Sequence, residues 1–295
     1  MDTITHGLFG ITLYGAINKE HLPVQVKRGL LAVALVGSQT PDIDVIAGFT
    51  ETGAIMSQMW HRGLTHSIFL VPVWGFLLYW LASWIFKVRD RRFFYYGMLA
   101  VFIHDTIDLF NAWGTGYLEP FSSVRLTIGT IPIVDLVFWS IFLIGMIVLK
   151  VKKQGASTKV FRVIALAMLL HFSIQTTQGL IIESQAQDRY DQTELAASFI
   201  PWHYKVIGKK DDQIEIYSDS LFTEPKLELT LTSNEKSDLT PLFEQNPKAK
   251  VLSDWSPFVV IVDNDKHLGI FDPRFYRNGE SMLYEYIEKK SVAQE

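Results

Sequence analysis

Apolar residues fall in long unbroken blocks over the first 182 positions and in short alternating runs after that. Four blocks, Leu64–Phe86, Phe93–Phe110, Ile131–Leu149 and Val160–Ile182, each have about the length of a membrane span, for which roughly 20 apolar residues are needed. Two shorter runs precede them, one just after His6 and one over Gly29–Val36. Neither is long enough to cross a bilayer comfortably, so both are expected as short or re-entrant helices packed inside a bundle. The first residues lack the basic start and small-residue cleavage site of a signal peptide. Beyond position 182 the runs Gln213–Tyr217, Leu227–Thr232, Pro257–Val262 and His267–Phe271 read as strands, with Asn264 and Asp265 as a hairpin turn. The pattern predicts a mainly α protein, a polytopic helical membrane bundle of four long spans and two short N-terminal helical segments. A small β-rich C-terminal domain follows it. The domains expected are 1–182, embedded in the membrane, and 183–295, soluble and acidic.

Charge sharpens this division. Residues 1–182 carry a net +4 and residues 183–295 a net −8. Lys19, Lys27 and Arg28, then Lys87, Arg89, Arg91 and Arg92, then Lys150, Lys152, Lys153 and Lys159 occupy every second loop, while the alternate loops hold only Arg62 and Arg125. Basic loops stay in the cytoplasm. A multi-pass membrane protein is therefore expected, with its C-terminal domain on the outer face. The acidic C-terminal part and the lack of a large basic surface argue against nucleic acid as a partner. There is no cysteine, so any metal must be held by His, Asp and Glu, which suits zinc, manganese or iron.

Under that topology the outer ends of the runs gather His6, Asp42, Asp44, His61, His66, His104, Asp108 and Asp135, the candidate metal ligands. His104 and Asp108, four apart on a helix, share a face and can grip one ion; the alternative is a polar helix end at the interface. Asp105 points about a quarter-turn away, beside the ligands rather than among them. Asp42 and Asp44 follow Pro41, so an extended turn is expected that points both carboxylates to one side, either onto a metal or into a solvated Asx turn. His61 and His66 flank a turn allowed by Gly63, with Thr65 as a helix cap. Arg62 either clamps a phosphate or carboxylate or pairs with a nearby aspartate. Asp135 is a further ligand or the partner that orients a histidine. His6 is a ligand or an interfacial polar residue, and His171 is expected to hydrogen-bond between helices.

These residues also carry a resemblance. Thr5-His6-Gly7, then PDID, HRGLTHS and HDTID, in that order over about residues 1–150, resemble the bacterial inner-membrane metal-dependent hydrolase family of the YdjM type. The set is distantly similar to zinc-dependent phospholipase C and P1 nuclease, helical enzymes that hold a metal cluster with His and Asp. The resemblance implies hydrolysis, of a phosphoester or another ester in a lipid or amphipathic substrate, at the membrane surface. A divalent metal, zinc before manganese or iron, would activate water, with Arg62 and Asp105 as the catalytic residues beside the ligands. Two other readings compete: an intramembrane amide hydrolase, and a non-enzymatic sensor working through its C-terminal domain.

Overall fold

The computed structural model describes residues 1–151, 157–277 and 279–289. Asp2 caps the first helix by accepting from the Thr5 backbone N–H, and α1 runs Thr3–Gly15. α2 follows at Val24–Gly37. The two helices come close at Gly10, where an added Cβ would lie 2.7 Å from both the Ala34 carbonyl oxygen and Ser38 Oγ. The chain then tightens into a 3-10 helix, Pro41–Phe49, and two short helices, α3 (Glu51–Ile55) and α4 (Ser57–Trp60). Single 3-10 turns at Leu64–His66 and Ile68–Leu70 lead into α5 (Val71–Phe86). α6 (Arg91–Leu109) is capped by Asp90, α7 is Leu136–Val151, and α8 is Ser157–Gln187.

Contacts divide the chain into two units. The first holds Met1–Asp44, Arg62–Thr177 and Phe199–Pro201; the second holds Val45–His61, Gln178–Ser198 and Trp202–Glu295. In the first unit α2, α5 and α6 share a core of Val26, Leu30, Val33, Val71, Leu78, Phe93 and Val101. Gly97 lets α6 in: an added Cβ would stand 3.2 Å from Leu78 and Val33. A second core joins Ile107 on α6, Ile131, Phe138 on α7, and Ile164 and Met168 on α8.

The four long spans expected above are not found. Among the described residues two helical stretches are long and apolar enough to cross a membrane, Ile68–Phe86 and Ser157–Gln187. There are up to three if α2 and Pro41–Phe49, bent by 54° at their junction, form one broken span. The block at Phe93–Phe110 does form a helix, α6, but it carries Arg91, Arg92, Asp105 and Asp108 and buries its polar side within the unit. Among the described residues the block at Ile131–Leu149 yields a helix of 16 residues, about 24 Å long against a hydrocarbon layer of about 30 Å. Loop charges counted over six segments therefore no longer assign a side of the membrane.

The second unit contains a four-stranded antiparallel sheet in the order β1 (Gln192–Ala197), β2 (Tyr204–Lys210), β3 (Gln213–Ser220), β4 (Thr223–Thr232). After α9 (Thr240–Gln245) and α10 (Pro247–Trp255), which packs on α3 and α4, come β5 (Val260–Asp263), β6 (His267–Phe271), β7 (Tyr276–Arg277), β8 (Glu280–Ser281) and β9 (Tyr284–Glu288). β5, β6 and β9 form a three-stranded sheet and β7 pairs with β8. The turn between β5 and β6 is built by Asn264, whose Oδ1 accepts from the N–H groups of Lys266 and His267.

This unit has a built-in pH dependence at Glu194 on β1. Burial, against the opposing pull of Arg274 at 3.9 Å, pushes its carboxyl from 4.5 up to about 7. The folded state then holds a proton that the unfolded chain has already released. Stability is greatest below pH 4.5 on this account, falls as pH rises through 7, and is flat above it. The loss is at most about 3 kcal/mol. Protection factors of the β1 and β2 amides should fall between pH 4.5 and pH 8 in the wild type. Glu194→Gln should remove that dependence.

Candidate metal centre

The centre is assembled from four parts of the first unit: α1, the residues 41–44, the residues 62–66, and the C-terminal half of α6. His104 and Asp108, one turn apart on α6, are both fully buried. His104 Nδ1 lies 2.8 Å from the Ser38 carbonyl oxygen at the end of α2. A carbonyl can only accept, so Nδ1 carries the proton and Nε2 turns its lone pair inward. His66 is set in the same way. Thr65 Oγ1 donates to Asp44 Oδ2 at 2.7 Å, and the same oxygen lies 3.1 Å from His66 Nδ1. His66 Nδ1 is thereby the donor, and in the neutral ring its Nε2 also presents a lone pair.

These two lone pairs meet. His66 Nε2 and His104 Nε2 are 3.2 Å apart, and Asp42 Oδ1 lies 3.4 Å from the first and 3.6 Å from the second. Asp108 Oδ2 completes the ring at 3.6 Å and 3.8 Å. Asp42, His66, His104 and Asp108 thus offer four ligand atoms all within 4.8 Å of one another, a group that could hold a metal ion. Four acceptors facing one point repel each other unless a cation lies between them. Asp42 alone of the four is partly exposed, so solvent reaches the group from its side.

His6 stacks on His104 with ring centroids 3.7 Å apart, and its Nε2 is 3.3 Å from Asp108 Oδ1. The Met1 amino group also pairs with Asp108 Oδ1. Arg62 adopts a left-handed backbone, φ +58°, which places the turn at Arg62 and not at Gly63. Asp44 holds that conformation by accepting from the Arg62 N–H at 2.9 Å. The Arg62 guanidinium sits 3.2 Å from Asp108 Oδ2 and donates to Asn111 Oδ1 at 3.3 Å. The pairing of Arg62 with a nearby aspartate is therefore the one realised. Burial lowers Arg62 to about 10, which leaves it charged at neutral pH. Arg125 donates to the Arg62 carbonyl at 2.7 Å and reaches Glu119 at 3.2 Å.

Other expectations are redistributed. Asp42 and Asp44 do not lie on an extended turn. They sit in the Pro41–Phe49 3-10 helix, where residues two apart diverge. Asp42 faces the Nε2 of His66 and Asp44 its Nδ1. Thr65 serves His66 rather than capping a helix; Ser67 is the cap, accepting from Phe69 N–H. Asp135 is not in the four-ligand group: Oδ1 caps α7 through Val137 and Phe138, and Oδ2 is 2.9 Å from His171 Nε2. His171 makes the helix–helix bond expected of it. His61 ends α4 in the segment that groups with the second unit, and the four-ligand group forms without it. Asp105 is buried beside the ligands, and neither of its oxygens makes a hydrogen bond among the described residues. Asn111 and the Ser38 carbonyl were not anticipated. Asn111 extends the i, i+4, i+7 row of His104 and Asp108, and that spacing was its signal.

The profile of the YdjM inner membrane protein family matches residues 1–179. An uncharacterized protein, YfhP of Bacillus subtilis (strain 168), is 32% identical over 141 residues, which is 46% of this chain and 42% of that relative's length. The chain therefore spans less than half of the curated relative it matches. No solved structure matches. The similarity to zinc-dependent phospholipase C and P1 nuclease is not shown by these comparisons.

Proposed function

The chain belongs to the YdjM inner membrane protein family, and from that premise we propose that it is a membrane-bound, metal-dependent hydrolase. Its substrate in this reading is a phosphoester, or another ester, of a lipid or amphipathic molecule. One observation carries the reading: Asp42, His66, His104 and Asp108 turn four electron-pair donors onto one point inside a helical unit. Nitrogen and oxygen donors without sulfur favour zinc, with manganese or iron as alternatives. A divalent metal held there supplies water acidified to a pKa of about 7. The rest falls to the chain's own side chains. Asp105, next to a ligand and without a hydrogen bond, can take up a proton at either carboxylate oxygen. Arg62 puts a guanidinium group beside the Asp108 carboxylate, which favours a substrate that gathers negative charge, a phosphoester over an amide.

The test uses the full chain in vesicles, loaded with zinc or manganese and offered headgroup-labelled phospholipids beside ester and amide lipids. The wild type should release the phospholipid label, and His66→Ala should fall to background while still inserting in the membrane. Equal turnover by His66→Ala, or no cleavage of any lipid by the metal-loaded wild type, would sink the hydrolase reading.

A further inference from the structure

The segment between α6 and α7 contains a closed loop. Thr115 and Leu126 exchange backbone hydrogen bonds of 2.8 Å and 3.0 Å and so pinch its base. Its tip shows three large apolar side chains to the outside, Leu118 (38% exposed), Phe121 (79%) and Val124 (58%). A free tip of this composition is costly in water.

The loop is latched to one end of a candidate span. The Ile68 N–H donates to the Tyr117 carbonyl at 3.1 Å, and Ser67 Oγ donates to the Glu119 carbonyl. The Phe121 ring meets the Phe69 ring edge-on, centroids 4.9 Å apart. Phe69 is the second residue of the span Ile68–Phe86. It begins an outward stripe that continues through Val73, Phe76, Trp80 and Trp84. Nineteen residues rise about 28 Å, close to the hydrocarbon thickness of about 30 Å. When that helix crosses a bilayer, Phe69 lies at one hydrocarbon boundary and Phe121 lies beside it. At the other end Lys87 stands over the Trp84 ring, an arrangement suited to the opposite interface.

We propose that the loop 115–126 is a membrane-surface anchor whose apolar tip enters the lipid leaflet next to the start of the Ile68–Phe86 span. The occupant of this surface is lipid, because the tip continues the face of a helix that lipid itself must cover. The anchor also fixes the depth of the polar site. Arg125, one residue past Val124, donates to the Arg62 carbonyl, and the Gly116 N–H donates to the same oxygen at 2.7 Å. Arg125 and the Arg62 backbone are therefore tied to the loop whose tip enters the leaflet.

The chain has no cysteine, so a single introduced thiol can be labelled without background. Phe121→Cys carrying a nitroxide is reconstituted as the full chain in phospholipid nanodiscs, with Val124→Cys as the second site if the first variant fails to insert. Phe76→Cys marks mid-span and Glu244→Cys marks water. Collisions with oxygen and with a water-soluble nickel chelate are then read from the saturation of the spin signal. At position 121 oxygen should reach the label and nickel should be excluded, at a depth between the two references. Nickel access equal to that at position 244 would overturn the proposal. So would protection from both reagents, which would mean that protein, such as a second copy of the chain, covers the tip.

Discussion

Purified His104→Ala protein is expected to carry almost no metal where the wild type, incubated with zinc or manganese, carries a stoichiometric amount. His104 is the residue through which the centre is wired to the helix frame. Its Nδ1 is fixed on the Ser38 carbonyl, and its Nε2 faces the His66 nitrogen and the Asp42 and Asp108 carboxylates. Removing only the partner that orients a ligand weakens a metal by about 10- to 100-fold. Removing the ligand itself should cost at least about a hundredfold. Elemental mass spectrometry on detergent-purified protein reads this directly. Unchanged metal in His104→Ala would show that the ion lies elsewhere. A wild type that takes up neither metal would remove the metal centre and leave a sensor in front.

The helical period made part of this centre legible in the sequence. His104 and Asp108 share a face because they are four apart, and that spacing survives folding. His66 was legible as a candidate but its geometry was not, since its orientation depends on Thr65 and Asp44 acting together. Asp42 and Asp44 misled because the residues after Pro41 read as an extended turn, whereas the chain tightens into a 3-10 helix. Asp135 was ambiguous for a different reason: its partner, His171, comes from a helix far along the chain. The span count failed because hydropathy reads lipid-facing and protein-facing apolar residues alike. α6 is apolar enough by eye, but it is the buried helix that carries the ligands. In the second unit β1 and β2 lie outside the four runs read as strands, though their register runs unbroken from Gln192 to Ala197.

The largest stability effect is expected at Asp108, and it should depend on Arg62. Asp108→Ala, measured after chelation so that bound metal contributes nothing, should be destabilised by about 3–5 kcal/mol. Arg62 is buried and keeps its charge; its guanidinium faces Asp108 Oδ2 at 3.2 Å, and the hydrogen bond to Asn111 is neutral on the other side. Deleting the aspartate takes the nearest carboxylate from a buried cation and leaves it only the more distant fields of Asp42 and Asp44, which costs more than the pair itself contributes. The melting temperature in detergent, followed by circular dichroism, should fall by roughly 10 °C. Arg62→Met added to Asp108→Ala removes the stranded charge and keeps the length of the side chain, so most of the lost stability should return. Metal should not return with it, because the double variant still lacks a ligand. A double variant no more stable than Asp108→Ala would show that Asp108 supports the fold through the Met1 amino group, His6, His66 and His104 and not through its ion pair with Arg62.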